Sequence, residues 1–61
     1  MAEMINAAAA AEMLGVSKRS VYAWAESHRI PSHKFGLLLR FDRDELAEWI
    51  RNQHVPARIA E

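Results

Sequence analysis

The junction Gly15-Val16-Ser17 constrains the fold of this chain more than any other stretch. Before it, Asn6 is a good N-cap, and the alanine-rich run from Ala7 to Leu14 has strong helix propensity. Gly15 suits the left-handed position that ends a helix, and Ser17 can cap a second helix almost immediately afterwards. Two helices joined by so short a turn, the second with polar residues at its start, are typical of a helix-turn-helix.

The second helix, predicted to run from Lys18 to about Ser27, begins with two cations. The helix macrodipole disfavours Lys18 and Arg19 at that end by ~0.3–1 kcal/mol each unless an anion faces them. Backbone N–H groups at a helix start, joined by Lys, Arg and hydroxyl side chains, suit phosphate. Val21 and Trp24 are three residues apart and anchor the helix to a core. The pattern indicates a recognition helix.

A β-hairpin is predicted after this helix. His28 occupies a position where a left-handed residue is often found, and Pro31 prevents any further helix. Residues 32–41 contain enough apolar alternation for two short strands, with Gly36 in the turn. The residues expected to share the core face of the two strands are Phe35, Leu39 and Phe41.

A third helix completes the predicted fold. Asp42 is its N-cap, and Glu45 three residues later forms a capping box. Its apolar stripe is Leu46, Trp49 and Ile50, and it should end near Gln53. The expected fold is mainly α with a small β-hairpin, a winged helix-turn-helix in the order α-α-β-β-α. Residues 1–53 form this domain, and residues 54–61 form a C-terminal tail that is a candidate for disorder.

Composition places the chain in a reducing compartment. It has 61 residues and no cysteine, so neither disulfides nor a Cys-based zinc site can staple the single small domain. No apolar run approaches the ~20 residues of a membrane span, and the N-terminus lacks the pattern of a signal peptide. We expect a cytoplasmic protein that makes no membrane contact.

The charges are balanced in number but separated along the chain. Eight cations balance eight carboxylates, yet residues 17–41 hold five cations against Glu26 alone. Residues 42–48 hold four carboxylates against Arg43. Two solvated faces of opposite sign would also explain this, but segregation in so short a chain favours an anionic partner.

At this point the residues resemble a known family. The run from Ala11 to Trp24 is similar to the helix-turn-helix of excisionase-type, MerR-like winged-helix domains, and the likeness covers residues 4–51. That family includes phage excisionases, small phage transcription regulators and DNA-binding modules of packaging terminases. The resemblance implies a second helix in the major groove and a hairpin wing on the backbone or in the minor groove. The segments that carry the later part of the likeness are Arg29-Ile30-Pro31, Lys34-Phe35-Gly36, Arg40-Phe41 and Asp44-Glu45-Leu46-Ala47-Glu48-Trp49-Ile50.

The resemblance also implies which residues contact DNA. The predicted DNA-binding set is Ser17, Lys18, Arg19, Ser20, Tyr22, Ala23, Arg29, Lys34, Gly36 and Arg40. Within it, phosphate contacts are implied for Ser17, Ser20 and Tyr22, and base contacts for Lys18, Arg19 and Ala23. Plainer interpretations remain open: the helix charges form a solvated face, Lys34 and Arg40 protect an edge strand, and Arg29 pairs with the acidic third helix.

The chain departs from the family pattern in two places. The family usually has basic residues after the wing glycine, whereas this chain has Leu37 and Leu38. They could pack against a second copy of the chain, form a wedge in the minor groove, or cover the core if the hairpin register differs. His28 stands where the family commonly has Gly, so we expect slight strain there.

No residue pattern indicates catalysis or a cofactor. The chain has no nucleophile–base pairing, P-loop or dinucleotide fingerprint, and His28, His33 and His54 lack metal-site spacing. The sequence therefore predicts a non-enzymatic protein that needs no metal, cofactor or small-molecule substrate. Its predicted function is sequence-specific binding of double-stranded DNA, as a transcription regulator or an excisionase-like recombination factor. The alternatives are a protein–protein interaction module and a DNA-binding fragment of a packaging terminase small subunit.

Overall fold

Two helices and a tight turn open the fold. The computed structural model describes residues 3–55. Helix α1 spans Ala7–Leu14 and helix α2 spans Lys18–Glu26, as the sequence predicts to within a residue. The side chains of Asn6 and Ser17 each accept the backbone N–H three residues further on, at 2.9 and 3.2 Å. Both predicted N-caps are thereby confirmed.

The same C-terminal motif ends both helices. Gly15 has φ 71°, and the N–H of the next residue, Val16, donates to Ala11 O at 3.1 Å. At the end of α2, His28 has φ 60°, and the N–H of the following residue donates to Trp24 O at 2.7 Å. A helix end with a left-handed residue, in which the next N–H donates to the carbonyl group five residues earlier, is a Schellman motif. The left-handed conformations predicted at both positions are confirmed.

A three-stranded antiparallel sheet forms the other half of the fold. Its strands are β1 (Met4–Ile5), β2 (His33–Phe35) and β3 (Leu38–Asp42), with β3 in the centre. The predicted order, α-α-β-β-α, lacks strand β1. The observed order is β-α-α-β-β-α. Strand β1 exists because residues 4 and 5 pair with residues 42 and 41 of β3.

The register of the hairpin places Phe35 on a different face from the one that the sequence predicts. A two-residue turn, Gly36-Leu37, joins β2 to β3, and Gly36 has φ 64° as the first central residue of a type II′ turn requires. This turn pairs Phe35 with Leu38. Cross-strand partners share a face and neighbours along a strand alternate, so Phe35 lies on the face opposite Leu39 and Phe41. The prediction that Phe35 joins the core face was wrong.

Helix α3 spans Arg43–Asn52 and begins at the predicted cap. Asp42 Oδ1 accepts the backbone N–H groups of residues 44 and 45 at 2.9 and 3.3 Å. The carboxylate of Glu45, expected to complete a capping box, lies instead 3.0 Å from His33 Nε2. A second ion pair joins Glu3 to Arg43 at 3.1 Å and ties β1 to the start of α3. No helix of the described residues has the length and apolarity to cross a membrane.

Every element except β2 contributes buried residues to the core. Val21, Phe41 and Leu46 are fully buried, and Trp24 and Trp49 pack against this core while remaining partly exposed. Strand β2 contributes no buried residue, so it is attached mainly through its pairing with β3. The hairpin therefore projects from the body as a wing. The complete set of buried residues is Ile5, Ala7, Ala10, Ala11, Val21, Ala25, Ile30, Phe41 and Leu46.

Candidate nucleic-acid interface

One side of α2 faces solvent along its whole length. Successive residues of a helix are rotated by about 100°, so Arg19, Tyr22, Ala23 and Glu26 fall within one strip opposite Val21. All four are exposed, whereas Val21 is fully buried. We call these four residues the α2 strip. The major groove of DNA admits an α-helix, and an exposed face of this kind can enter it.

The start of α2 concentrates hydrogen-bond donors beside the strip. Lys18 and Arg19 are exposed, and as the first residues of the helix their N–H groups have no intrahelical partner. The Ser17 and Ser20 hydroxyls lie 3.3 Å apart, and Ser20 is only half-exposed. Two cations, free backbone donors and two hydroxyls thus meet at the positive end of the helix dipole. This arrangement is suited to a phosphate group.

A groove of about 560 Å³ separates α2 from the wing. Tyr22 of α2 and Lys34 of β2 both line it, which brings two predicted site residues together from different elements. Sequence reasoning missed Glu26, His28 and Ser32 as lining residues, because only the packing of the hairpin beside α2 places them there. The complete lining is Tyr22, Ala25, Glu26, His28, Ser32, Lys34, Leu37 and Leu39.

The two cations of the wing, Lys34 and Arg40, lie on opposite faces of the sheet. Lys34 pairs with Leu39, whereas Arg40 pairs with His33 and therefore lies on the opposite face of the sheet. Arg40 is half-buried, and its Nη1 donates to Leu39 O at 2.8 Å. Only Lys34 shares the groove with α2. Gly36 lies in the wing turn, where its role in the hairpin is conformational.

Arg29 lies on the other flank of α2. With Trp24, Trp49 and Gln53 it lines a shallow depression of about 500 Å³, which we call the indole depression. The ion pairs of the described residues are His33–Glu45 and Glu3–Arg43. Within residues 3–55, Arg29 therefore does not form the ion pair with the acidic third helix that the alternative interpretation required.

The wing ends in an apolar tip. Phe35, Leu37 and Leu38 are 54%, 95% and 56% exposed, and we call these three residues the wing tip. The possibility that Leu37 and Leu38 cover the core is wrong, since the two-residue turn directs them into solvent.

The fold agrees with the comparison with protein families. Residues 4–54 match the helix-turn-helix domain family. The chain belongs to that family. Its members are small DNA-binding domains, so membership indicates DNA as the partner. Neither curated proteins nor solved structures gave a match.

Proposed function

We propose that the chain binds double-stranded DNA sequence-specifically, with α2 in the major groove and the wing beside the backbone. The observation that carries this proposal is the exposed, basic start of α2, where Lys18 and Arg19 adjoin unpaired helix N–H groups. Cations at that end of a helix cost stability unless an anion faces them. Membership of the helix-turn-helix domain family supports the same conclusion.

The α2 strip supplies the base-reading side chains of this proposal. Arg19 can donate two hydrogen bonds to guanine, Ala23 can contact a thymine methyl group, and Glu26 can accept from cytosine N4. Lys18 is rotated by about 100° from Arg19, so we assign it to a phosphate rather than a base. Tyr22 lies at the edge of the strip that faces the wing.

Phosphate contacts on both sides of the strip would fix its register in the groove. We assign Ser17 and Ser20 to one phosphate at the helix start, and Tyr22 with Lys34 to another in the groove between α2 and the wing. Arg29 and Arg40 lie outside this arrangement and contribute long-range attraction. The resulting protein acts as a transcription regulator or as an excisionase-like recombination factor, since both roles use the same binding.

The first test is the dependence of binding on salt. Sites selected from a random duplex pool would serve as targets, and affinity would be measured across a salt series. With Lys18 and Lys34 on phosphates, and Arg29 and Arg40 adding long-range attraction, log affinity should fall with log salt at a slope between about −2 and −4. A flat response, or no duplex selected at all, would refute DNA binding and favour the alternative of a protein–protein module.

A second test separates base contacts from phosphate contacts. Arg19→Ala should reduce discrimination between selected and scrambled sites by ~1–3 kcal/mol. Lys18→Ala should weaken both kinds of site alike and make the salt slope less steep by about 1. Arg51→Ala is the matched control, because Arg51 is an exposed cation in the last turn of α3, outside the α2 strip. If all three variants behave alike, α2 does not read bases.

A further inference from the structure

The charges of α2 oppose its own dipole at both ends. Lys18 and Arg19 occupy its first turn, and Glu26 is its last residue. A cation near the N-terminus of a helix and an anion near its C-terminus each reduce stability. Helix α3 has the favourable order, with two carboxylates in its first turn and Arg51 in its last. Stability therefore explains the charges of α3 but not those of α2.

Glu26 gains no compensating ion pair within the described part of the chain. It is exposed, and the ion pairs of residues 3–55 do not include it, although Lys34 lines the same groove. The last turn of α2 holds no basic residue, and the Ser27 hydroxyl donates to Ala23 O at 3.0 Å. The carboxylate therefore stands beside the negative end of the helix, and the folded chain gives no reason for its presence there.

Glu26 also lies where the proposed DNA would lie. Residues 17–41 hold five cations and no other acid. Arg19 and Glu26 are seven residues apart, or almost two full turns, so they lie on the same side of α2. The phosphates that the cations attract would be repelled by this carboxylate. A carboxylate at this position therefore lowers the affinity for DNA in general.

We infer that Glu26 determines specificity by repulsion: it weakens binding to every duplex that does not present the amino group of a cytosine to it. This role rests on the proposed function and deepens it, since it makes one base contact the condition for tight binding. In the major groove cytosine presents a donor, whereas guanine and thymine present acceptors. A carboxylate that faces acceptors loses water without gaining a hydrogen bond. The wrong base is thus penalised more than the right base is rewarded.

The spacing along α2 gives the position of this cytosine. Seven residues rise about 10.5 Å along a helix, and base pairs are stacked about 3.4 Å apart. A helix that follows the groove therefore places Glu26 about three base-pair steps from the guanine that Arg19 contacts. The expected target holds a guanine and a cytosine at this separation.

Selection from a random duplex pool, repeated with Glu26→Gln, tests the position. The original chain should select cytosine there and adenine second, because adenine presents a donor beside its N7 acceptor. Glutamine both donates and accepts, so the variant should tolerate thymine. Its discrimination between cytosine and thymine should fall about 5- to 100-fold. At the guanine contacted by Arg19 both chains should discriminate equally.

Binding to a scrambled duplex measures the repulsion itself. Glu26→Gln should bind this duplex about 2- to 5-fold more tightly at low salt, and the gain should shrink as salt screens the charge. Glu48→Gln is the matched control, because Glu48 is an exposed carboxylate of α3, outside the α2 strip. It removes the same charge, and it should leave the selected bases unchanged and strengthen scrambled binding less.

The free chain gives a readout that needs no DNA. Because Glu26 stands at the negative end of α2, Glu26→Gln should raise the midpoint of thermal unfolding by about 1–5 °C. A more stable variant that binds scrambled DNA more tightly and selects bases less strictly would support the inference. A less stable variant would assign Glu26 to the fold and overturn it.

The outcomes separate this inference from the proposed function. If the chain selects sites but Glu26→Gln selects the same bases with the same strictness, the inference fails and DNA binding stands. If the variant binds all duplexes more tightly with unchanged selection, Glu26 repels phosphates alone and the cytosine contact is refuted. If the original chain binds no duplex at all, the proposed function fails and this role of Glu26 fails with it.

Discussion

Replacement of Gly15 by alanine isolates the free energy of one backbone conformation. Gly15 has φ 71°, and a Cβ atom added there would meet nothing within 4 Å. The cost is therefore conformational, not steric. An L-residue in the left-handed region loses about 1–2 kcal/mol, and the smaller freedom of alanine in the unfolded chain returns about 0.4–1 kcal/mol. We expect Gly15→Ala to lower the free energy of unfolding by about 1 kcal/mol.

Thermal and urea unfolding would measure this change. For a domain of this size, 1 kcal/mol corresponds to a fall in Tm of about 4–8 °C. A total stability of roughly 3–9 kcal/mol leaves the variant folded at 25 °C, so its DNA affinity there should be unchanged.

Gly15→Asn is the control, because asparagine adopts the left-handed region more readily than alanine. It should be destabilised less than Gly15→Ala. If alanine costs nothing, or if asparagine costs as much as alanine, left-handed strain does not determine the stability of this turn.

Three further changes test other parts of the fold. Asp42→Ala removes the acceptor of two hydrogen bonds at the start of α3 and should cost ~0.5–2 kcal/mol in urea unfolding; an unchanged midpoint would show that the cap is dispensable. Phe41→Ala empties a fully buried position at a cost of ~3–5 kcal/mol, so its urea midpoint should fall further than that of Asp42→Ala, whereas Phe41→Leu should lose less stability than Phe41→Ala. The His33–Glu45 pair is substantially exposed, and a double-mutant cycle with His33→Ala and Glu45→Gln should give a coupling below ~1 kcal/mol; a larger value would mean that this pair, and not strand pairing alone, holds the wing.

Local signals predicted the helices well because each signal acts within a few residues. Asn6, Ser17 and Asp42 are N-caps in the structure, and each bonds the backbone two or three residues away. Gly15 and His28 adopt the left-handed conformation that their positions indicated. These interactions need no information from distant parts of the chain, so composition and spacing suffice to predict them.

The strands were predicted less completely because pairing is a distant interaction. Strand β1 has two residues and no pattern of its own, and it is defined only by its pairing with β3. The face of Phe35 depends on whether the turn holds two residues or more, since a shift of one residue exchanges the faces of a strand. The same alternation places Lys34 and Arg40 on opposite faces of the wing.

The sequence alone determined which helix carries the cations: Lys18 and Arg19 follow a serine cap, and no tertiary contact is needed to place them at a helix start. It did not determine what lies beside that helix. The groove with Lys34 and the depression between Trp24 and Trp49 each join residues from different elements. Caps and turns are set by neighbours in the chain, whereas a surface shared between elements exists only once the core has fixed their relative positions.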